Sequence, residues 1–164
     1  MKRLFPCLLC LLLLFGCGKP AQSDYQNNSF SASIPEPFES VKDSSVICFA
    51  PYGDPLLSSS ITVSITELNW YFDSFTKEEY EEALKTMCGY ETLSVESFET
   101  CRVGVFDARR VACSVSIDQG RHDLILYAVN ADRTYLFTLL NRDGDDFVSE
   151  FDTMISTVRF TEGA

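Results

Sequence analysis

The sequence contains few of the residues and motifs that carry most enzyme chemistry. It has one histidine, His122, and one tryptophan among 164 residues. It has no Gly-x-Ser-x-Gly motif and no glycine-rich phosphate loop, and no C-x-x-C pair follows residue 17. A nucleophile needs an adjacent base to activate it. The only histidine falls in a predicted turn at residues 120–123, and a histidine in a turn is more often a solvated polar residue than a catalytic base. We therefore predict a protein that is not an enzyme and has no cofactor, with carboxylate catalysis as the only enzymatic alternative.

Basic residues are also scarce. The chain has 13 Lys and Arg against 24 Asp and Glu, which gives a net charge of −11. Binding to the phosphates of nucleic acid requires a basic face, so we expect no nucleic-acid partner. The acidity favours solubility at a crowded surface, and we expect a monomer.

An apolar run stands at the N-terminus, where Leu4 to Phe15 follow Lys2 and Arg3. A run of this length is shorter than the ~20 residues that cross a bilayer as a helix, and it is typical of a secretory signal peptide. It closes with Leu14-Phe15-Gly16-Cys17, which places Leu at −3 and Gly at −1 before a cysteine. This stretch resembles the lipobox of bacterial lipoproteins.

The lipobox resemblance implies cleavage after Gly16 and lipidation of the Cys17 thiol. An ordinary secretory cleavage site is the alternative, but Lys19 and Pro20 suit that peptidase poorly. The lipoprotein modification supplies at least two fatty acyl chains, such as palmitate, and each buried CH₂ contributes ~0.8 kcal/mol. We therefore expect the mature protein to be anchored through lipid to the outer side of a bacterial cell membrane.

The chain divides into three parts. Residues 1–16 are the predicted signal peptide, and their removal leaves 148 residues with a net charge of −13, enough for one domain with a single core. Residues 17–29 hold the lipidated cysteine and a polar, aperiodic stretch, which predicts a flexible tether of about 20 Å. A single domain then spans residues 30–162.

Four cysteines follow Cys17, and they allow three pairings that the sequence cannot separate. Disulfides persist outside the cytoplasm, so we expect at least one, with four buried thiols as the alternative. We favour Cys101 with Cys113 because these two flank a predicted hairpin. The candidates are Cys48, Cys88, Cys101 and Cys113.

Alternating apolar residues predict strands in the first half of the domain and a meander in the second. Tight turns join three apolar runs between residues 108 and 140, as in antiparallel neighbours. Two of these runs are apolar on both faces, which is typical of central strands covered on both sides. The early strands are Phe30–Ile34, Val46–Ala50 and Ile61–Thr66.

Two segments carry helix signals. Thr76 and Glu79 form a capping box, and Gly89 supplies the stop for that helix. A last helix is predicted to begin at Asp145 or Asp146, with an apolar face that ends at Val158. The fold class is therefore α+β, with an antiparallel sheet of about six or seven strands between two flanking helices.

This order of elements resembles the PsbP-like domains, which are α-β-α sandwiches. The matching pieces are Phe30–Pro35, Val103–Ala108 and Ile155–Phe160, and the likeness covers about residues 30–160. The resemblance implies this fold and a non-catalytic accessory role, with no specific ligand.

Two short runs are candidates for binding. Asp143-Gly144-Asp145-Asp146 lacks the twelve-residue pattern of a calcium loop and is typical of a turn before a helix, so we predict no metal. Trp70, Tyr71 and Phe72 are the candidate partner-binding residues, because Trp and Tyr dominate interface hot spots. The alternative is that these aromatics pack beneath the helix that begins near Thr76.

The most consistent function is that of a membrane-anchored, extracytoplasmic interaction domain without catalysis. Its partner would be a protein or glycan at the cell surface. The alternative is a lipoprotein that binds or senses a small ligand, which requires a pocket with convergent polar groups. A surface hydrolase would instead require two facing, desolvated carboxylates.

Overall fold

A computed structural model describes residues 22–42, 44–53, 55, 58–67, 75–90, 92–117, 120–142 and 144–161, without the side chains of residues 22, 87 and 88. These residues form ten strands and two helices. The strands are β1 (Gln22–Gln26), β2 (Phe30–Pro35), β3 (Phe38–Ser40), β4 (Ile47–Pro51), β5 (Ser60–Thr66), β6 (Ser94–Val103), β7 (Phe106–Ile117), β8 (Gly120–Asn130), β9 (Thr134–Asn141) and β10 (Arg159–Phe160). The helices are α1 (Lys77–Cys88) and α2 (Val148–Thr157).

Seven strands form one antiparallel sheet in the order β3-β4-β5-β9-β8-β7-β6. The meander predicted from the tight turns is confirmed as β7, β8 and β9, which pair in sequence. The α+β class and the seven-stranded antiparallel sheet are likewise confirmed. The two strands predicted to be covered on both faces, β8 and β9, lie near the middle of the sheet.

A second, three-stranded sheet in the order β1-β2-β10 lies outside the main sheet. The opening strand of the domain was predicted correctly, but it belongs to this small sheet. The tether predicted over residues 17–29 is too long, because Gln22–Gln26 form β1 and pair with β2 from Gln22↔Pro35 to Gln26↔Ser31. The polar composition of this segment suits an exposed edge strand, whose backbone is satisfied by its neighbour. The folded domain therefore includes Gln22–Gln26 and does not begin at Phe30.

The main sheet separates two apolar cores. Successive residues of β8 alternate between them, since Leu124 and Leu126 face the α1 side and Ile125 and Tyr127 face the other side. The core on the α1 side contains Tyr80 and other buried residues of α1 and of strands β6 to β9. The second core is enclosed by α2 and the small sheet, with buried side chains that include Phe30, Ile34, Phe151, Met154 and Ile155.

Helix α1 has the ends that the sequence predicted. The Thr76 side chain accepts a hydrogen bond from the Glu79 N–H, the Glu79 carboxylate accepts one from the Thr76 N–H, and Gly89 ends the helix at φ 71°. This capping box satisfies two N–H groups that no helical carbonyl reaches. Glu81 then joins the helix to the sheet, because its carboxylate accepts a hydrogen bond of 2.8 Å from the Val95 N–H.

Helix α2 begins two or three residues later than predicted, at Val148 after Phe147. Phe147 makes no side-chain capping bond, and Asp146 accepts a long hydrogen bond of 3.4 Å from the Val148 N–H. Asp145 instead accepts a hydrogen bond from the Ser59 hydroxyl at 2.9 Å, which ties the turn to the segment before β5. In the part of the chain described above, neither helix is long and apolar enough to cross a membrane.

Candidate interaction surfaces

Four of the residues singled out from the sequence lie outside the described residues. They are Cys17, the predicted lipidation site, and the aromatic run Trp70, Tyr71 and Phe72. Their roles therefore stay predictions. The flanking elements are described, and β5 ends at Thr66 before that run while α1 begins at Lys77 after it.

The predicted disulfide between Cys101 and Cys113 is not formed. Cys48 and Cys101 are free thiols, and the side chain of Cys88 lies outside the described residues. Cys101 stands opposite Ala108, whereas Cys113 is five residues farther along β7 and stands opposite Val95. Five residues of a strand span about 17 Å, well beyond the ~7 Å that a disulfide bridges between Cα atoms. The β6–β7 hairpin is paired over many residues, and Cys101 and Cys113 therefore lie far apart along it.

Cys101 and Cys113 also lie on opposite sides of the main sheet. Cys113 belongs to the core on the α1 side, and Cys101 packs against the core on the α2 side. Burial raises the pKa of the Cys101 thiol and that of the Cys48 thiol. A raised pKa lowers the thiolate fraction, so both side chains are weak nucleophiles at neutral pH.

The fold has two distinct ends along the strand direction. The first, here the Gln22 end, carries Gln22 opposite Pro35, together with the turn at Tyr52 that follows β4. The second, here the Val105 end, carries the β6–β7 turn at Val105 and the residues around Phe160, which pairs with Phe30. Strand β2 runs from the Val105 end to the Gln22 end, so the two surfaces are separated along the whole of β2.

The Gln22 end contains an open cleft of about 440 Å³. Tyr52 at this cleft is 88% exposed, and its backbone has φ 57°. A positive φ is disfavoured for a bulky residue, and here it turns the ring outward from β4. The other lining residues are Ser23, Ile34, Glu36, Pro37, Phe38 and Glu39.

The Val105 end contains a more apolar groove of about 360 Å³. Val105 is 78% exposed at the tip of the β6–β7 turn, and Gly104 precedes it at φ 60°. Phe106 and Phe160 meet edge to face, with ring centroids 5.1 Å apart, and form the groove's aromatic wall. Asp132 and Arg159 supply one charge of each sign to its lining.

A polar cluster joins α2 to the main sheet on the same side as this groove. The Tyr127 hydroxyl donates a hydrogen bond of 2.9 Å to Asp152 Oδ1 and accepts one of 3.0 Å from Arg110 Nε. Arg110 also forms an ion pair with Asp152, with Nη2 3.3 Å from Oδ2. Burial, and then the hydrogen bond to Asp152, raise the pKa of Tyr127 well above its usual value.

This cluster has the properties of a structural link. The Asp152 carboxylate is paired with a cation and a phenol, and it is not one of two facing, desolvated acids. The Arg110 and Asp152 side chains are 20% and 40% exposed, so both charges keep part of their hydration. The hydroxyl of Tyr127 stays protonated at neutral pH and acts as a hydrogen-bond donor, which fixes α2 on the sheet.

His122 is not the solvated turn residue that the sequence predicted. It lies in β8 opposite Val115, is 8% exposed, and has Nε2 3.2 Å from the Ile117 carbonyl oxygen. A Cβ on Gly120 would stand 2.9 Å from this Nε2. The imidazole therefore packs over Gly120 and contacts the Ile117 carbonyl, which is a structural role.

The described residues contain no group of three or more His, Cys, Asp or Glu side chains placed to hold a metal ion. Asp143, the first residue of the acidic run weighed above as a calcium loop, lies outside them. The absence of a metal thus stays a prediction for the whole chain.

The sequence indicated neither end of the fold as a surface. Neither Tyr52 nor Val105 was a candidate, and Gly104, which opens a tight turn, falls within Val103–Ala108, one of the pieces that carry the PsbP-like resemblance. A Gly beside an exposed Val between two apolar runs is a hairpin signal that could have been used. Nothing in the sequence could have shown that Val105 and Phe160 line one groove, because they are 55 positions apart.

The fold is similar to those of several solved structures. Cyanobacterial PsbP (CyanoP) from Synechocystis matches with a TM-score of 0.60 at 15% identity, over 89% of this chain and 96% of that one. LpqN, involved in cell envelope biogenesis of Mycobacterium tuberculosis, matches with a TM-score of 0.55 at 12% identity, over 86% and 91%. A protein from Bacteroides thetaiotaomicron matches with a TM-score of 0.51 at 15% identity, over 82% of this chain and 46% of that one.

No protein-family model matches the chain, and no curated protein sequence matches it. At identities of 12–15% the structural likeness concerns the fold alone. The PsbP-like α+β architecture expected from the order of elements is therefore confirmed.

Proposed function

We propose that this chain is a bacterial lipoprotein that acts outside the cytoplasm as a non-catalytic interaction domain. In this proposal Cys17 carries the lipid, residues 1–16 are removed, and one monomeric domain from Gln22 onward binds a protein or glycan partner. The lipobox resemblance supports the anchor. The similarity to the fold of LpqN, a protein of cell envelope biogenesis, supports the location.

The observation that carries the proposed binding role is the apolar groove at the Val105 end. An exposed Val105 beside the Phe106–Phe160 pair presents apolar surface that a solvated domain otherwise buries. Its lining charges, Asp132 and Arg159, have opposite signs, so apolar packing and not net charge would select the partner. We propose a protein that inserts an apolar side chain into this groove.

The groove also lies away from the anchor. Gln22 is the first residue of β1, and it pairs with Pro35 at the opposite end of β2 from Phe30 and Phe160. A lipid on Cys17 would hold the Gln22 end near the membrane and leave the Val105 end facing outward. Trp70, Tyr71 and Phe72 stay a second proposed contact.

The alternative of a small-ligand receptor has less support. The cleft and the groove are both open to solvent, whereas ligand pockets bury most of a small molecule's surface. The hydrolase alternative has less support too, since Asp152 is engaged by Arg110 and Tyr127. These contacts favour an interaction domain.

The anchor is tested by comparing wild type with Cys17→Ser in fractionated cells. We expect wild type in the membrane fraction and the variant in the soluble extracytoplasmic or unprocessed fraction. A wild-type protein found in the cytosol would contradict the proposed location.

The groove is tested by quantitative crosslinking on intact cells with Val105→Asp. Val46→Asp is the matched control, because Val46 is 49% exposed and does not line the groove. We expect the Val105 change to remove the specific crosslinked species while the Val46 change preserves it. Equal yields from all three proteins would contradict a binding role for the groove, and loss with Trp70→Ala alone would move the contact to the aromatic run.

A further inference from the structure

We propose that the Gln22 end of the domain rests on the bilayer surface, with the Tyr52 ring at the level of the lipid headgroups. This inference rests on the proposed lipidation of Cys17. It adds a second contact with the membrane, made by the folded domain itself.

The first support is the length of chain between the lipid and the fold. Because β1 begins at Gln22, only four residues, Gly18 to Ala21, separate it from Cys17. Five Cα–Cα steps reach at most about 17 Å when fully extended.

This reach favours one orientation. Strand β1 is five residues long, so its first and last Cα atoms are four steps, or about 14 Å, apart along the strand direction. To place the Val105 end on the bilayer, the tether would have to span at least this distance, which is most of its full reach. With the Gln22 end down, residues 18–21 have no such distance to span, and the membrane-facing surface is the one that begins at Gln22.

The second support is the residue that this surface presents. Ser23 of β1 and Tyr52 line the same cleft, so the exposed ring stands on the end from which the tether leaves. The turn that holds the ring is closed by a hydrogen bond of 3.1 Å from the Gly53 N–H to the Ala50 carbonyl. Tyrosine has an apolar ring and a polar hydroxyl, and it is enriched where membrane and water meet.

The third consideration is charge. Glu36 and Glu39 are exposed at the same cleft, and among the described residues no Lys or Arg lines it. Carboxylates are repelled by the negative surface potential of anionic lipids within about a Debye length of ~8 Å. The surface therefore suits zwitterionic headgroups, and the contact should weaken as anionic lipid is added.

The test uses the full lipidated protein reconstituted in phosphatidylcholine vesicles that contain a traceable phosphatidylcholine. A photoreactive benzoylphenylalanine replaces Tyr52 in one variant and Val105 in the matched control. We expect the yield of protein–lipid adduct to be several-fold higher from position 52 than from position 105. Replacing much of the lipid with phosphatidylglycerol should lower the yield from position 52.

A second measurement needs no substitution. Hydrogen exchange of the wild-type protein should slow on vesicles for residues 35–40 and 52–53, and should not change for residues 104–106. Intact mass of the same sample reports the lipid on residue 17. An unmodified residue 17 would overturn the proposed function, and this inference with it.

A lipidated protein with equal adduct yields at the two positions, or a higher yield at 105, would overturn only the orientation. Protection limited to residues 104–106 would do the same. In either case the lipid anchor would stand.

Discussion

Replacing Tyr127 with phenylalanine should loosen the attachment of α2 to the sheet without disturbing the core. The substitution removes one oxygen, which donates to Asp152 at 2.9 Å and accepts from Arg110 at 3.0 Å. The ring itself packs edge to face on Phe151, with centroids 5.8 Å apart, and this contact is retained. The measured change therefore reports on the polar cluster.

The magnitude follows from the charges and their exposure. A hydrogen bond to a charged group contributes about 1.5–3 kcal/mol. The Asp152 and Arg110 side chains are 40% and 20% exposed, so hydrogen bonds from water replace part of the energy lost with the Tyr127 hydroxyl. We expect Tyr127→Phe to lower the free energy of unfolding by about 1–2 kcal/mol, and Tm by about 3–6 °C for a domain of this size.

The same side chain predicts a dependence on alkaline pH. The pKa of Tyr127 is raised in the folded state, so the folded protein holds this proton more tightly than the unfolded chain. Its contribution is complete below the unfolded tyrosine pKa of about 10 and is lost as pH rises toward the higher folded value. Wild type should therefore lose stability above about pH 10 more steeply than Tyr127→Phe.

Urea unfolding followed by circular dichroism measures both effects. A double-mutant cycle with Asp152→Asn isolates the interaction between the two residues. The cycle should give a favourable coupling energy between them. Strictly additive changes, together with identical alkaline slopes for wild type and Tyr127→Phe, would refute the assignment of this cluster as a structural link.

Three further changes test other parts of the fold. Gly120→Ala places a Cβ 2.9 Å from His122 Nε2 and should lower the free energy of unfolding by about 1–3 kcal/mol. The same change should cost less in a His122→Ala background, because the clashing imidazole is absent there. Thr76→Ala removes the capping hydrogen bond of α1 and should lower the free energy of unfolding by about 1 kcal/mol. The control Thr86→Ala, in the same helix, should not destabilise the protein. Equal effects of the two changes would contradict the role of Thr76 as a cap. Alkylation in denaturant without reductant, followed by peptide mapping, should label Cys48 and Cys101. A disulfide-linked peptide that contains either residue would contradict their free state.

Local signals in the sequence predicted most of the architecture. The capping box at Thr76 and Glu79 and the stop at Gly89 set the bounds of α1 because they satisfy its terminal N–H and carbonyl groups locally. Apolar residues on both faces of β8 correctly predicted a central strand, since one face meets α1 and the other meets the α2 side. The likeness to PsbP-like domains rested on this same spacing.

The errors arose where long-range pairing decides the structure. Gln22–Gln26 has no apolar alternation, and it becomes a strand only because β2 offers it a hydrogen-bonding edge. The favoured disulfide failed because the β6–β7 hairpin is long, so flanking its turn did not bring Cys101 near Cys113. His122 was assigned to a turn because the extent of β8 depends on pairing with β7.

The candidate surfaces were the least predictable part. Tyr52 and Val105 stand in turns, and their roles follow from which turns share an end of the fold. The link among Arg110, Tyr127 and Asp152 joins residues up to 42 positions apart, a separation that no local pattern spans.

The central claim is that a lipid on Cys17 holds this domain at the membrane. Tandem mass spectrometry of the N-terminal peptide from protein purified from its native membrane tests it most directly. The chain should begin at Cys17, with fatty acyl groups on that residue and none of residues 1–16 present. A peptide that retains Met1, or an N-terminal Cys17 with an unmodified thiol, would contradict the account.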